Sequence, residues 1–240
     1  SCKGTSSKEI IAVLERIPEH KRLKVKEITL DMARNMEAAV KGLFKNAKLV
    51  TDRFHVVKLA LDAVQHIRVK KRWEEMDIEN KAIADAKKAG KKYEQEVLSN
   101  GDTPKQLLAR CRYVLAKKEE QWTLNQKQRA EILFVKYPEI KKAYRLVLSF
   151  RAIYENTDLL KAKQKFIEWL DKVRKEKIEE FNTVANTIQY NLENILNFFI
   201  TRNTNANAES FNSKIKLFRA NQRGVVDNKF FLFRLHKLFA

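Results

Sequence analysis

Glycine, proline and cysteine are scarce in this chain of 240 residues. It contains 5 glycines and 3 prolines, a composition that disfavours flexible linkers and turn-rich β folds and favours long helices. Its two cysteines, Cys2 and Cys111, are far apart and lack the spacing of metal ligands. We therefore expect neither a disulfide framework nor a zinc site, and the cysteine usage is typical of a reducing compartment.

Long apolar runs are also missing. No run approaches the roughly 18 residues that a membrane-spanning helix needs, and no segment has the pattern of a signal peptide. Apolar residues still make up 44% of the chain, enough to bury a sizeable core. The sequence thus predicts a soluble, intracellular protein of one large domain or two small ones.

Acidic residues are few beside the basic ones. The chain has 49 lysines and arginines against 30 acidic residues, a net charge of +19. An excess of this size indicates a polyanionic partner, with nucleic acid the leading candidate and an acidic membrane surface the second. Composition alone therefore predicts a basic, helical protein that binds nucleic acid.

The first 52 residues combine two periodicities. Alternation of apolar and polar residues over 25–30 and 47–51 predicts two short strands. Helical spacing of apolar residues over 8–17 and 32–44 predicts a helix before each strand. The order helix, strand, helix, strand predicts an α/β unit whose two strands are parallel.

The rest of the chain has the pattern of a helical bundle. A long charged run over 56–98 contains a single glycine, Gly90, and ends at a clear turn over 99–104. Further helices are predicted over 105–117, 126–136, 139–155, 158–177, 178–200, 206–219 and 230–239. The aromatic residues expected to anchor the core are Trp122, Tyr144, Phe150, Phe166 and Trp169.

Two aspartates directly follow the predicted strands. Asp31 and Asp52 therefore occupy the positions at which open α/β sheets carry their chemistry. Each could instead cap the helix that follows it, because aspartate is a common N-cap. Beside Asp52, Arg53 could pair with that carboxylate or contact a phosphate, and His55 could be a general base, a metal ligand or a structural histidine.

The segment 207–216 places a carboxylate among amides and lysines on one predicted helix. Glu209, Asn212, Ser213 and Lys216 follow the i, i+3, i+4, i+7 rule and so share a face. Such a set suits a site that holds a divalent metal next to a phosphate. An ordinary solvated face is the alternative interpretation of the lysines.

Three blocks of sequence together resemble the DDE transposases of bacterial insertion sequences, most closely the ISL-three group. They are ITLDM at 28–32, NAKLVTDRFHVVK at 46–58 and NAESFNSKIK at 207–216. The resemblance extends over most of the chain. It implies a ribonuclease-H-like core with a helical insertion before the last catalytic residue. It also implies cutting and joining of DNA at transposon ends with Mg²⁺ or Mn²⁺.

The resemblance also implies roles for single residues. Asp31 matches the second catalytic aspartate and Glu209 the catalytic glutamate, so these two are the expected metal ligands. Asp52 matches the aspartate of the DRFH block, as a catalytic residue or a structural cap. The residues expected to contact DNA are Arg53, His55, Asn212, Lys214, Lys216 and Arg219.

One departure from the family pattern affects the expected fold. No aspartate precedes Asp31, although the family's first catalytic aspartate lies on the first strand of the core. We therefore expect an α/β, mostly helical, C-terminal part of a transposase, which could be inactive alone. Its predicted division is a partial ribonuclease-H-like core over 1–55, a helical insertion over 56–200 and core helices carrying the glutamate over 201–240.

The expected partners are double-stranded DNA, at the transposon ends and the target, and further copies of the same protein. A bacterial cytoplasmic location follows, at the nucleoid when DNA is bound, with no membrane partner. Two alternatives stay open on the sequence alone. One is a basic helical scaffold for nucleic acid without enzymatic activity, and the other is a metal-dependent nuclease on the same fold that does not join strands.

Overall fold

The computed structural model of the protein describes residues 6–225 and 227–239, except for the side chain of Asn207. Within these residues the chain is mostly helical and has two short strands. Its contacts divide it into two compact units, of which the first ends at Thr201 and the second begins at Arg202.

The elements follow one another along the chain in a single order. The first unit contains α1 (Ser7–Leu14), α2 (Glu19–Arg22), β1 (Glu27–Leu30), α3 (Arg34–Leu43), β2 (Lys48–Thr51), α4 (Arg53–Lys88), α5 (Pro104–Arg110), a 3₁₀ helix (Glu119–Gln121), α6 (Leu124–Lys136), α7 (Pro138–Ile153), α8 (Leu159–Glu176), α9 (Glu179–Tyr190) and α10 (Leu192–Thr201). The second unit contains α11 (Ala206–Asn221) and α12 (Asn228–Phe239).

The two strands form a parallel pair, as the sequence predicted. Their register runs from Glu27 opposite Lys48 to Leu30 opposite Thr51. A parallel pair needs a crossover connection, and α3 supplies it. The prediction of a helix, strand, helix, strand unit is therefore confirmed, with the short α2 as an addition that the sequence pattern did not indicate.

The long helix α4 begins at Arg53 and ends at Lys88, ten residues before the predicted end at 98. Gly90 has φ +64°, and the backbone N–H of Lys91 donates to the carbonyl of Ala86 at 2.9 Å. This left-handed glycine closes the helix in a Schellman motif. The predicted continuation to 98 was wrong because a single glycine, within a lysine-rich run, is sufficient to end the helix.

Two other predicted helices differ from the structure. The segment predicted over 105–117 is helical only to Arg110. The segment predicted over 178–200 is interrupted at Asn191, whose side-chain amide turns back to donate to the carbonyl of Thr187 at 2.8 Å. Such local bonding of asparagine competes with the helical backbone, so α9 and α10 are separate helices.

The main core of the first unit lies among the long helices. Four of the five predicted anchors, Tyr144, Phe150, Phe166 and Trp169, are buried. The ring centroid of Phe150 lies 4.6 Å from that of Trp169. The fifth anchor, Trp122, packs at the edge of this core and donates its indole N–H to the carbonyl of Val114 at 2.9 Å.

The second unit is built from α11 and α12, which pack through aromatic rings. The ring centroids of Phe218 and Phe231 are 5.5 Å apart, and those of Phe211 and Phe239 are 5.7 Å apart. The guanidinium of Arg234 lies over the Phe218 ring at 5.3 Å. These contacts fix which face of α11 is turned toward α12.

Candidate active site

The parallel pair brings Asp31 and Asp52 to the same edge of the sheet. Leu30 lies opposite Thr51 in the register, and the backbone N–H of Asp52 donates to the carbonyl of Leu30 at 2.8 Å. Each aspartate is therefore the first residue beyond the carboxyl end of its strand. This is the edge at which α/β sheets place their functional groups.

Asp52 is buried, with 2% of its surface exposed. Its Oδ1 accepts the backbone N–H of Phe54 at 3.1 Å, which makes it the N-cap of α4. The structural role as a helix cap, one of the two alternatives for Asp52, is therefore confirmed. By fixing the start of α4, this carboxylate also fixes the position of Arg53.

Asp31 is exposed and does not cap α3. Its Oδ1 accepts the backbone N–H of Ala33 at 3.0 Å, whereas α3 begins at Arg34 with Ala33 in the N-cap position. The alternative that Asp31 caps a helix starting at Met32 is therefore wrong. The turn holds one carboxylate oxygen of Asp31, and a carboxylate has a second oxygen that can accept or coordinate.

A row of polar side chains on α10 ties that helix to the strands and to α3. The side-chain amide of Asn197 donates to the carbonyl of Leu49 at 2.8 Å. The hydroxyl of Thr201 donates to Glu27 Oε2 at 2.6 Å. The amide of Asn194 donates to Glu37 Oε1 at 3.3 Å. These residues lie at i, i+3 and i+7 on a helix whose other residues, apart from Glu193, are apolar, a spacing that could have drawn attention to them in the sequence.

The two site residues predicted just after Asp52, Arg53 and His55, differ in their surroundings. Arg53 is exposed, and its guanidinium carbon lies 5.8 Å from the centre of the Phe198 ring. His55 is half-buried, and the centroid of its ring lies 5.5 Å from that of the Phe54 ring in an edge-to-face arrangement. Arg53 thus has the exposure that a phosphate contact requires.

The glutamate motif lies on α11, close to the helix that the sequence predicted over 206–219. Glu209 is exposed in the first turn, where the helix dipole favours a negative charge. Its carbonyl accepts the hydroxyl of Ser213 at 2.8 Å. Phe211 and Phe218 contact α12, so the face that carries Glu209 is turned away from that helix.

The predicted DNA-contact residues of α11 do not all lie on that face. At about 100° per residue, Asn212 and Lys216 lie within about 60° of Glu209, and Arg219 lies about 80° from it. Lys214 lies about 140° round the helix. All four side chains are exposed. Residues 202–240 hold eight lysines and arginines against two acidic residues, so α11 lies in a strongly basic region.

A comparison with protein families identifies the chain. The family model for the DDE transposases of the ISL-three group, described as transposase, matches residues 1–235. The chain belongs to this transposase family. The resemblance drawn from three short blocks is thus confirmed over nearly the whole length. Searches of curated proteins and of solved structures found no match to this transposase.

Family membership and the structure each support one part of the description of this transposase. The family supports a transposase function, and so a DNA-processing enzyme that binds DNA and generally needs a divalent metal. The structure adds the strand-end aspartates and the basic helix that carries the glutamate. Among the described residues, no helix is both long and apolar enough to cross a bilayer.

Proposed function

We propose that this transposase cuts and joins DNA at the ends of an insertion sequence in a metal-dependent reaction, with Asp31 and Glu209 as metal ligands. The observation that carries the proposal is the family match over residues 1–235. Within the matched segment, the two aspartates of the family blocks stand at the carboxyl ends of neighbouring strands, which is where such a site is expected.

The donor set suits Mg²⁺ or Mn²⁺. Both ions prefer hard oxygen ligands, and Mg²⁺ usually takes only one or two from the protein. Asp31 is exposed, and its turn engages Oδ1, so Oδ2 is the atom proposed to coordinate. When bound, the metal neutralises negative charge on the phosphate under attack. Asp52 acts in support, by holding the first turn of α4 beside this edge.

The basic residues of α11 are proposed to hold the DNA backbone near the glutamate. Lys216 and Asn212 share its face, and Arg219 lies at the edge of that face. Lys214, on another side of the helix, would contact a different phosphate. His55, two residues after Arg53, is also proposed to contact the DNA backbone. Contacts of this kind position DNA without reading its sequence and weaken as salt rises.

We infer a ribonuclease-H-like core from residues 1–55 and 201–240, with 56–200 as its helical insertion. The parallel strand pair supports this division. The proposed boundary at residue 55 lies in the first turn of α4, which begins at Arg53 and continues to Lys88. The active complex is proposed to be a homo-oligomer on paired DNA ends, in the bacterial cytoplasm.

The test measures binding to a fluorescein-labelled duplex of about 30 bp, roughly three helical turns, by anisotropy at constant ionic strength. Mn²⁺ is expected to tighten binding by the wild-type chain. Glu209→Gln should keep the metal-free affinity and lose the effect of Mn²⁺. Glu168→Gln, at an exposed carboxylate on α8, is the matched control and should keep both.

The competing scaffold function predicts a different result. A scaffold uses the net charge of +19 and has no need of the carboxylate on α11. If Mn²⁺ affects Glu209→Gln and the wild type equally, Glu209 is no metal ligand and the scaffold is the better account. A chain that binds no DNA at low salt would contradict both functions.

A further inference from the structure

A basic groove lies within the first unit, between the first turn of α4 and the end of α7. Its volume is about 320 Å³, enough to hold a phosphate group and part of a nucleotide. It is lined by Arg53, Phe54, Val57, Lys118, Arg151, Tyr154 and Glu155. Arg53 immediately follows the buried cap Asp52, so the groove lies beside this strand-end aspartate.

The charges of the groove favour an anion. Three cations line it against one carboxylate, Glu155. Lys118 Nζ lies 2.7 Å from Glu155 Oε1. This hydrogen bond lowers the pKa of Glu155, so the carboxylate stays ionised and its charge is balanced by Lys118. Arg53 and Arg151 therefore leave an excess of two positive charges.

The two arginines keep donors for a ligand. Arg151 Nη1 donates to the carbonyl of Ala116 at 3.2 Å, and a guanidinium has several more N–H groups. Arg53 lies over the Phe198 ring, a contact that leaves the N–H groups in the guanidinium plane able to donate. A pair of guanidinium groups is well suited to phosphate oxygens.

The buried side chain of Tyr154 also lines the groove. Only 4% of its surface is exposed, and its ring stacks on Phe199 with centroids 5.6 Å apart. In the described part of the chain its buried hydroxyl has no hydrogen-bond partner. Burial, reinforced by the negative charge of Asp52 and opposed by Arg53, raises the pKa of this hydroxyl, so it stays protonated as a donor. A buried donor without an acceptor is costly.

We propose that this groove binds one phosphate of the DNA backbone, with Arg53, Arg151 and the Tyr154 hydroxyl as donors to its oxygens. The assignment rests on the proposed function, because it takes DNA as the partner. Phe54 stands at the rim with 59% of its surface exposed, where it can stack on an adjacent base. Through Arg151 and Tyr154, the end of α7 would then help to hold the DNA strand beside Asp52.

The salt dependence of DNA binding tests the assignment, with EDTA present to exclude metal effects. The slope of log Kd against log salt should fall by about one unit in Arg53→Gln and in Arg151→Gln. The control is Arg174→Gln on α8, whose guanidinium lies 3.1 Å from Asp171. It removes the same charge and should leave the slope as in the wild type.

A second variant separates a ligand role from a structural one. Tyr154→Phe removes only the hydroxyl, so it should raise Tm by about 2–4 °C and weaken DNA binding about tenfold. If the hydroxyl had only a structural role, the affinity would not change. A lower Tm together with unchanged affinity would overturn its assignment as a phosphate donor.

The outcomes distinguish the groove from the proposed function. A wild-type chain that binds no DNA overturns both. If the wild type binds with a steep slope and both arginine variants match Arg174→Gln, DNA binding stands and the groove assignment is overturned. If inorganic phosphate at equal ionic strength stabilises the wild type but the Arg151→Gln slope is unchanged, the groove takes free phosphate and the DNA assignment is again overturned.

Discussion

Asp102, in the turn before α5, is buried with only 1% of its surface exposed. Arg129 Nε lies 3.0 Å from its Oδ2, Arg110 pairs with Oδ1, and the Asn100 amide donates to Oδ2 at 2.9 Å. Buried charges persist only when they are paired and hydrogen-bonded. Asp102 therefore has a structural role, joining the turn before α5 to α6.

Removing the charge of Asp102 should destabilise the protein. Asp102→Asn leaves two arginines without their common partner, at a cost of about 3 kcal/mol. This value is at the low end for buried pairs because Arg110 and Arg129 both keep contact with solvent. Urea unfolding measures the change, with the exposed Asp171→Asn as a control expected within about 0.5 kcal/mol of the wild type. Equal midpoints for the two variants would contradict this role.

Cys111 should be unreactive in the folded protein. It is a buried, free cysteine, and burial raises the pKa of its thiol to about 12. The thiolate is the nucleophile, so at pH 8 the Cys2→Ser variant should react with a thiol reagent only after urea is added. Rapid reaction without urea would show that the helices around Cys111 open readily.

Single residues differ in how far the sequence determines them. The strand-end positions of Asp31 and Asp52 could be predicted, because the alternation that marks each strand stops at the aspartate. The partners of Asp102 could not, since Arg129 lies 27 positions along the chain. Tyr154 has an ordinary place in an apolar helical pattern, and only the folded chain shows that it lines a groove together with two arginines.

Among the elements, α10 holds the strands through Asn197. Asn197→Leu leaves the carbonyl of Leu49 without this donor and should cost about 1–3 kcal/mol. Asn182→Leu, at an exposed position on α9, makes the same replacement without that loss. Urea unfolding of the two variants checks the prediction. If Asn197→Leu is no less stable than Asn182→Leu, the contact between α10 and β2 does not depend on this hydrogen bond.

The end of α4 gives a matched pair of glycine variants. Gly90→Ala puts a side chain at φ +64° and should destabilise the protein by about 1 kcal/mol. Gly42→Ala, within α3, meets no described atom within 4 Å and should stabilise by about 0.5–1 kcal/mol. Thermal unfolding should therefore shift in opposite directions. A stabilising Gly90→Ala would contradict the Schellman end of α4.

Element types were easier to predict than element ends. Apolar periodicity places α6, α7 and α8 within a few residues of their observed bounds. It could not show that Gly90 adopts a left-handed conformation, or that Asn191 bonds back to Thr187 and divides the segment over 178–200. Those outcomes depend on local backbone geometry, to which hydrophobic spacing is insensitive.

At the scale of the whole molecule, composition predicted a basic, helical protein and the family resemblance predicted a transposase. The family match confirms the second, and the parallel strand pair confirms the local α/β topology. The division into core and insertion stays a prediction. Nothing in composition or periodicity links Glu209 to aspartates more than 150 positions earlier, so that link required the resemblance.

Mn²⁺ binding to the chain in the absence of DNA, measured by electron paramagnetic resonance, tests most directly whether Asp31 and Glu209 are metal ligands. We expect Asp31→Asn and Glu209→Gln each to weaken Mn²⁺ binding by at least about tenfold and to retain the wild-type circular dichroism spectrum. Asp171→Asn should bind as the wild type does. Wild-type affinity in both ligand variants would contradict the metal site, and with it the assignment of these two carboxylates to the transposase reaction.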